Sequence, residues 1–335
     1  MQTRTYGELF KLISALCGTG QQLAVPEQDQ LRQFINRRFQ EAFDSSTIWP
    51  RYLVTSEERK IIALTITNAA GTGASDVNGN YFFIGSQKSG GSGHADAGSS
   101  IYYKTTRSDD GSTISATLIY QASNAWVVRT GGVVSYTSDG IYNVSTAGTN
   151  RYAEGDNNKK SFPYDVELWT VANGADQSPH IAQKQSIPYE ETLGHSSAAK
   201  NNIGEFLKIH RKKAFINNSS IEYDFSVDFD GANILNIVNT TDNTAFVTYK
   251  KQFTPYTITT AYYDSALEVP QEFYNYIAHT AFADFLRMQG KNEQAVAEEQ
   301  VGAFFLAQEL EKVDIISNNN TVNKRFSTYV NRQSR

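Results

Sequence analysis

"VPQEFYNYIAHTAFADFLRMQGKNEQAVAEEQVGAFFLAQELEKVD", from Val269 to Asp314, holds the clearest helical periodicity in this chain. Phe273, Ile277, Ala281 and Phe285 recur at intervals of four, which places them on one face of a helix. Pro270 suits the first turn, where a missing N–H goes unused, and Gly290 marks the stop. Asn292 can cap a second helix running to about Asp314, with Ala297, Val301, Phe304, Phe305 and Gln308 expected along its buried seam. At about 1.5 Å per residue that helix is roughly 30 Å long. The tight corner "QGKN" makes the two rods antiparallel neighbours.

Working outward, the N-terminal end supplies two more rods. In "TYGELFKLISALC" Thr5 and Glu8 have capping-box spacing, and Leu9, Leu12, Ile13 and Leu16 form the apolar stripe. A second helix starts at Pro26, with Glu27 and Asp29 near its positive end and Leu31, Phe34, Ile35, Phe39 and Ala42 along its stripe. Pro50 in "STIWPRY" cannot continue it. Four amphipathic rods predict a four-helix bundle.

Between these rods the chain reads as β structure. Residues 69–180 are rich in Gly, Ser, Thr, Asn and Tyr, with short runs such as "YFFIGS", "SIYYKT", "ATLIYQ" and "VELWTV" separated by turns. That pattern predicts an inserted all-β domain, sandwich- or barrel-like. In "IEYDFSVDF", Ile221 to Phe229, apolar and polar residues alternate, and Asp230-Gly231 is a hairpin signal. An antiparallel sheet with one wet face follows. The fold class is therefore α+β, divided into N-terminal core helices (1–68), the β insertion (69–180), an antiparallel core β domain (181–265), a helical hairpin (266–316) and a C-terminal arm (317–335).

Composition narrows the function. Thirty basic against 35 acidic residues leave a formal charge of −5, which does not suit a tight binder of duplex DNA. No run of about 18 apolar residues indicates a membrane span, and "MQTRTYGELF" lacks a secretory pattern, so synthesis in the cytosol is expected. The one cysteine, Cys17, sits on an apolar stripe and reads as structural. No phosphate-binding loop, metal-ligand spacing or nucleophile elbow occurs, and neither enzyme activity nor a cofactor is expected. The insertion carries Asp109, Asp110, Asp139, Glu154, Asp156, Asp165 and Glu167 beside Trp126 and Trp169. Paired acids and stacking aromatics suit glycan chemistry, yet several of these acids lie in turns. Non-catalytic glycan binding is the better alternative. "HRKK", His210 to Lys213, reads as a solvated edge.

Three stretches resemble a known family when taken together: "QLRQFINRRFQEAFDSSTIWPRY" (Gln30–Tyr52), "AFVTYKKQFTPYT" (Ala245–Thr257) and the opening stretch with its Pro-x-x-aromatic helix start and Gly corner. They are similar to the head-to-tail connector, or adaptor, proteins of tailed bacteriophages, above all the tail-tube adaptors of short-tailed phages. The likeness covers residues 1–68 and 186–335, and the β insertion departs from it. It implies a structural virion protein at the head–tail junction, assembled in the host cytoplasm. Such a protein closes into a twelve-membered ring between the portal and the tail nozzle, and genomic double-stranded DNA passes its lumen without specific binding. The arm would reach along the portal from an Asn-rich hinge, with Lys324, Arg325, Phe326, Tyr329 and Arg332 as contacts. The insertion would hold tail fibres or, alternatively, host glycan.

Overall fold

The computed structural model describes residues 3–18, 23–71, 77–87, 98–104, 113–123, 125–136, 142–145, 150–155, 160–171, 175–189, 201–213, 222–228, 234–237 and 242–333. For 3, 71, 113–116, 132–136, 142–145, 150–152, 175–176, 225–228, 234–235 and 316–333 it describes backbone alone. The strands are β1 (Thr3–Thr5), β2 (Leu53–Lys60), β3 (Ile62–Thr67), β4 (Ala70–Gly71), β5 (Gly79–Ser86), β6 (Ser100–Lys104), β7 (Thr113–Ala122), β8 (Ala125–Tyr136) and β9 (Tyr142–Ser145). There follow β10 (Asn150–Gly155), β11 (Trp169–Val171), β12 (Ala175–Gln177), β13 (His180–Pro188), β14 (Ile203–His210), β15 (Phe225–Asp228), β16 (Ile234–Ile237), β17 (Thr244–Lys251) and β18 (Glu268–Pro270). The helices are α1 (Tyr6–Leu16), α2 (Val25–Asp44), α3 (Gln271–Met288) and α4 (Asn292–Gln333). The fold is α+β with antiparallel sheets, and the chain divides into two compact units, Met1–Leu53 with Gln252–Arg335 and Val54–Lys251.

In the helical unit local signals produce the elements they predict. Glu8 N–H donates to Thr5 Oγ1 at 3.2 Å while Thr5 N–H donates to Glu8 Oε2 at 3.1 Å, a complete capping box. Gly290 turns the corner after α3 with φ +79, a conformation that costs a Cβ-bearing residue energy. The centre of this unit is α3, on which α1, α2 and α4 all pack. It is buried nearly all round, including Phe273, Tyr274, Ile277, Ala278, Ala281 and Phe285, so the single stripe expected of it understates its burial. Trp49 closes the core, its ring edge-on to Phe273 at 4.8 Å and its Nε1 donating to the Ala42 carbonyl at 3.1 Å. A short β1–β18 ladder ties the N-terminal segment to the start of α3.

The β unit holds an eleven-stranded antiparallel sheet in the order β11-β10-β8-β7-β6-β5-β3-β13-β16-β15, with β9 on β8. Here the expected boundaries need correction. The divides at 68/69 and 180/181 both fall inside this sheet, because β3 pairs β5 on one side and β13 on the other. The stretch read as a separate insertion is therefore hydrogen-bonded into the same sheet as its flanks. Apolar residues cover both faces: Leu64, Ile66, Tyr102, Ile119 and Trp126 on one, Ile62, Ile101, Tyr103, Leu118 and Tyr120 on the other. Trp169 on edge strand β11 and Ile181 on β13 share one of these clusters, so the sheet curls. Strands β14, β17 and β2 form a second, smaller sheet. Of the alternating "IEYDFSVDF" run, Phe225–Asp228 forms β15 against β16, while Ile221, Phe229 and the Asp230-Gly231 turn lie outside the described residues.

Candidate assembly surface

Helix α4 must approach α3 closely to pack, and Gly302 makes that possible. A Cβ there would lie 2.6 Å from Thr280 Cγ2 and 3.3 Å from the Tyr276 carbonyl. Among the described side chains of α4, Ala295, Gly302 and Val313 are the buried ones, with Leu306 partly buried. This overturns the expected seam. Ala297, Val301, Phe304 and Gln308 are exposed, and only Phe305 of that set is half-buried. The apolar pattern was right, but the side of the helix that packs is decided by the missing side chain of Gly302 rather than by the most apolar stripe.

The orientation of α4 is fixed by ions. Asp284 on α3, 5% exposed, accepts a two-pronged contact from Arg38 of α2, Nε to Oδ2 at 2.8 Å and Nη2 to Oδ1 at 2.6 Å. Arg38 also reaches Glu41 at 2.7 Å and Glu299 of α4 at 3.1 Å. Arg37 adds a contact to Asp284 at 2.5 Å, and Arg287 bridges Asp284 and Glu299. Burial alone would raise the Asp284 carboxyl, but Arg38 and then Arg37 hold it below the usual carboxylate value. Burial, aided by Glu41, pushes the neighbouring Tyr276 hydroxyl up to about 12. Three helices are locked to one another by this network. Sequence reading missed it, although an acid within the apolar run "TAFADFL" was the available signal, since a buried Asp needs a cation.

With its inward face fixed, α4 turns a second apolar stripe to solvent. Val301 is 41% exposed, Phe304 61% and Ile315 52%, at helical spacings that put them with Ala297 on one side. From Ala297 to Phe304 the apolar run covers roughly 11 Å of the axis, and Gln308 and Glu311 follow on that side before Ile315. Beside it, Phe304 meets Phe305 edge-on, and Phe305 stacks on His279 at 5.6 Å. Among the described residues this is where exposed large apolar side chains line up along one helix.

The remaining sequence candidates fall as follows. Lys324, Arg325, Phe326, Tyr329 and Arg332 have their backbone in α4, and their side chains lie outside the described residues. The expected stop near Asp314 and the hinge at Asn318–Asn320 are corrected: α4 continues to Gln333. No Gly or Pro follows Gly302 to break it, and Asn lowers helix propensity only mildly. Trp126 and Trp169, considered for sugar stacking, are 2% and 6% exposed and belong to the core. Asp109, Asp110, Asp139 and Asp156 lie outside the described residues, and among those described no cluster of three or more His, Cys, Asp or Glu side chains could hold a metal ion. Cys17 is half-buried, its thiol pushed up to about 11, chiefly by burial. Arg211, Lys212 and Lys213 are exposed, as a solvated edge requires, with Arg211 paired to Asp242 at 3.0 Å. Among the described residues no helix is long and apolar enough to cross a membrane. Comparison with protein-family models, curated proteins and solved structures finds no match to this chain.

Proposed function

We propose that this chain is a structural virion subunit that closes with copies of itself into a ring, adapting the portal of a tailed bacteriophage to its tail nozzle. The observation that carries this reading is the outward apolar stripe of α4, Val301, Phe304 and Ile315, on a helix whose other side is already packed and ion-locked. A stripe of this kind on a rigid rod is an interface, because water is a poor neighbour for it and the helix cannot roll to bury it. A second copy is the occupant the reading names, in a closed ring of twelve. Within each subunit α1, α2 and α4 gathered on α3 form the four-helix bundle of the adaptor core.

In this reading catalysis plays no part. The formal charge of −5 per subunit keeps a conduit from gripping the genome. The end of α4 carries Arg325, Tyr329 and Arg332 at successive spacings of four and three, the register of one side of a helix, with Phe326 next to Arg325 in sequence, which suits portal docking. The β unit is the part that holds tail fibres. Electron microscopy of the purified chain mixed with portal particles tests the proposal. Rings seated on the portal are expected, and deletion of residues 317–335 is expected to abolish seating while rings persist. Full-length chain that forms no ring, with or without portal, contradicts it.

A further inference from the structure

A groove within the β unit has the chemistry of a small-ligand site. It lies over β13, β3, β5 and β6 and has a cavity volume of about 300 Å³, the lower end of the range of ligand pockets. A β-bulge shapes its floor. The register steps from Gln183↔Leu64 to Ser186↔Ile62, so Lys184 and Gln185 together oppose Ala63, and all three line the groove. Bulges re-aim side chains in this way beside binding sites.

One wall is aromatic. Phe162 stacks on Tyr164 with ring centroids 5.0 Å apart and planes 6° from parallel, and Phe162 remains 43% exposed. Phe83 and Tyr102 continue the wall, edge-on at 5.7 Å. The wall is held in place: Pro163 is buried, and Gln121 Nε2 and Trp126 Nε1 both donate to the Lys160 carbonyl at 3.0 and 2.9 Å. The lining also carries amides, those of Gln183 and Asn243. Lys184 and Asp242 are the charged residues lining the groove, and Asp242 is already bound by Arg211 and the Tyr223 hydroxyl.

These features select a ligand class. Lys184 is the cation that lines the groove, where a phosphate or a nucleotide draws several converging donors. The floor strands are paired on both sides, so a peptide cannot add as an extra strand there. A ligand with C–H faces for the aromatic wall and hydroxyls for the amides remains. The negative face of an aromatic ring attracts C–H groups of partial positive charge, and side-chain amides can both donate to and accept from hydroxyls. We infer that this groove binds a neutral pyranose unit of an oligosaccharide, with Phe162 as the stacking platform and Gln183 and Asn243 as hydroxyl partners.

The inference is independent of the ring reading, since the groove lies wholly within one compact unit. Its test is saturation-transfer NMR of the full chain with glucose, galactose, N-acetylglucosamine and their disaccharides. Transfer to ring protons of at least one sugar is expected, with affinity falling about tenfold in Phe162→Ala. Gln183→Ala, at an exposed position, gives a second loss should Phe162→Ala misfold, as judged by circular dichroism. Phe304→Ser, in the other unit, should leave the signal unchanged. No transfer to any of these sugars, or transfer equal in wild type, Phe162→Ala and Gln183→Ala, overturns the proposal.

Discussion

Arg38 in the helical unit and Arg59 in the β unit are both buried guanidiniums, 8% and 2% exposed, and they are satisfied in different ways. Arg38 binds carboxylates drawn from α2, α3 and α4. Arg59 is held around one small sheet, by Glu57 at 2.8 Å on its own strand β2, by the Tyr249 hydroxyl of β17 at 2.9 Å and by the Asn201 carbonyl at 2.5 Å. The first arrangement sets the angle of whole helices, whereas the second secures one point of a sheet. Their surfaces differ accordingly. A helix fixed in rotation presents exposed apolar side chains on one side, which fits another protein, while a bulged and curled sheet presents a short concave groove, which fits a small molecule.

The sharpest way to break this contrast is Asp284→Ala. Leaving Arg37 and Arg38 without their shared carboxylate should cost the helical unit ~3–5 kcal/mol, read from urea unfolding followed by helical circular dichroism. Asp284→Leu combined with Arg38→Met should recover much of that loss, because a buried ion pair often stabilises no more than an apolar pair of similar size. Acid probes the same site. The folded Asp284 carboxyl lies below its unfolded value of about 3.9. Its contribution is therefore present above that value and lost as pH falls through the lower folded one. A pH titration of stability should show this loss in wild type and a flatter acid limb in Asp284→Asn.

Smaller effects sharpen the account of packing. Gly302→Ala should destabilise by ~1–3 kcal/mol through the clash with Thr280, although alanine is the better helix former. Thr280 has little room to yield, since its Oγ1 donates to the Tyr276 carbonyl at 2.7 Å. Thr280→Ser, which removes Cγ2, should offset most of that loss in the double variant. Thr5→Ala, which removes one half of the α1 capping box, should cost ~1 kcal/mol by thermal unfolding.

What could be read in advance was what neighbouring residues decide. The capping box at Thr5 and Glu8, the starts near Pro26 and Pro270 and the corner at Gly290 are local events, and each formed. What escaped reading depends on distant partners. The pairing of β3 with β13 joins residues more than a hundred positions apart, and nothing near Ile62 announces it. Val301 and Phe304 look more like core than Ala295 and Gly302, so apolarity alone selected the wrong side of α4. Trp126 and Trp169 looked available for stacking, yet the sheet curls over them and leaves Phe162 outside. The stripe that carries the proposed function was thus visible as a pattern, while its exposure was not.

The central claim is that the outward stripe of α4 is covered by another copy. Light scattering coupled to size exclusion on the full-length chain tests it most directly, comparing wild type with a Val301→Ser, Phe304→Ser variant. The account predicts a closed oligomer for wild type and a monomer with unchanged circular dichroism for the variant. A wild type that stays monomeric at high concentration, or a variant that assembles equally well, would contradict it.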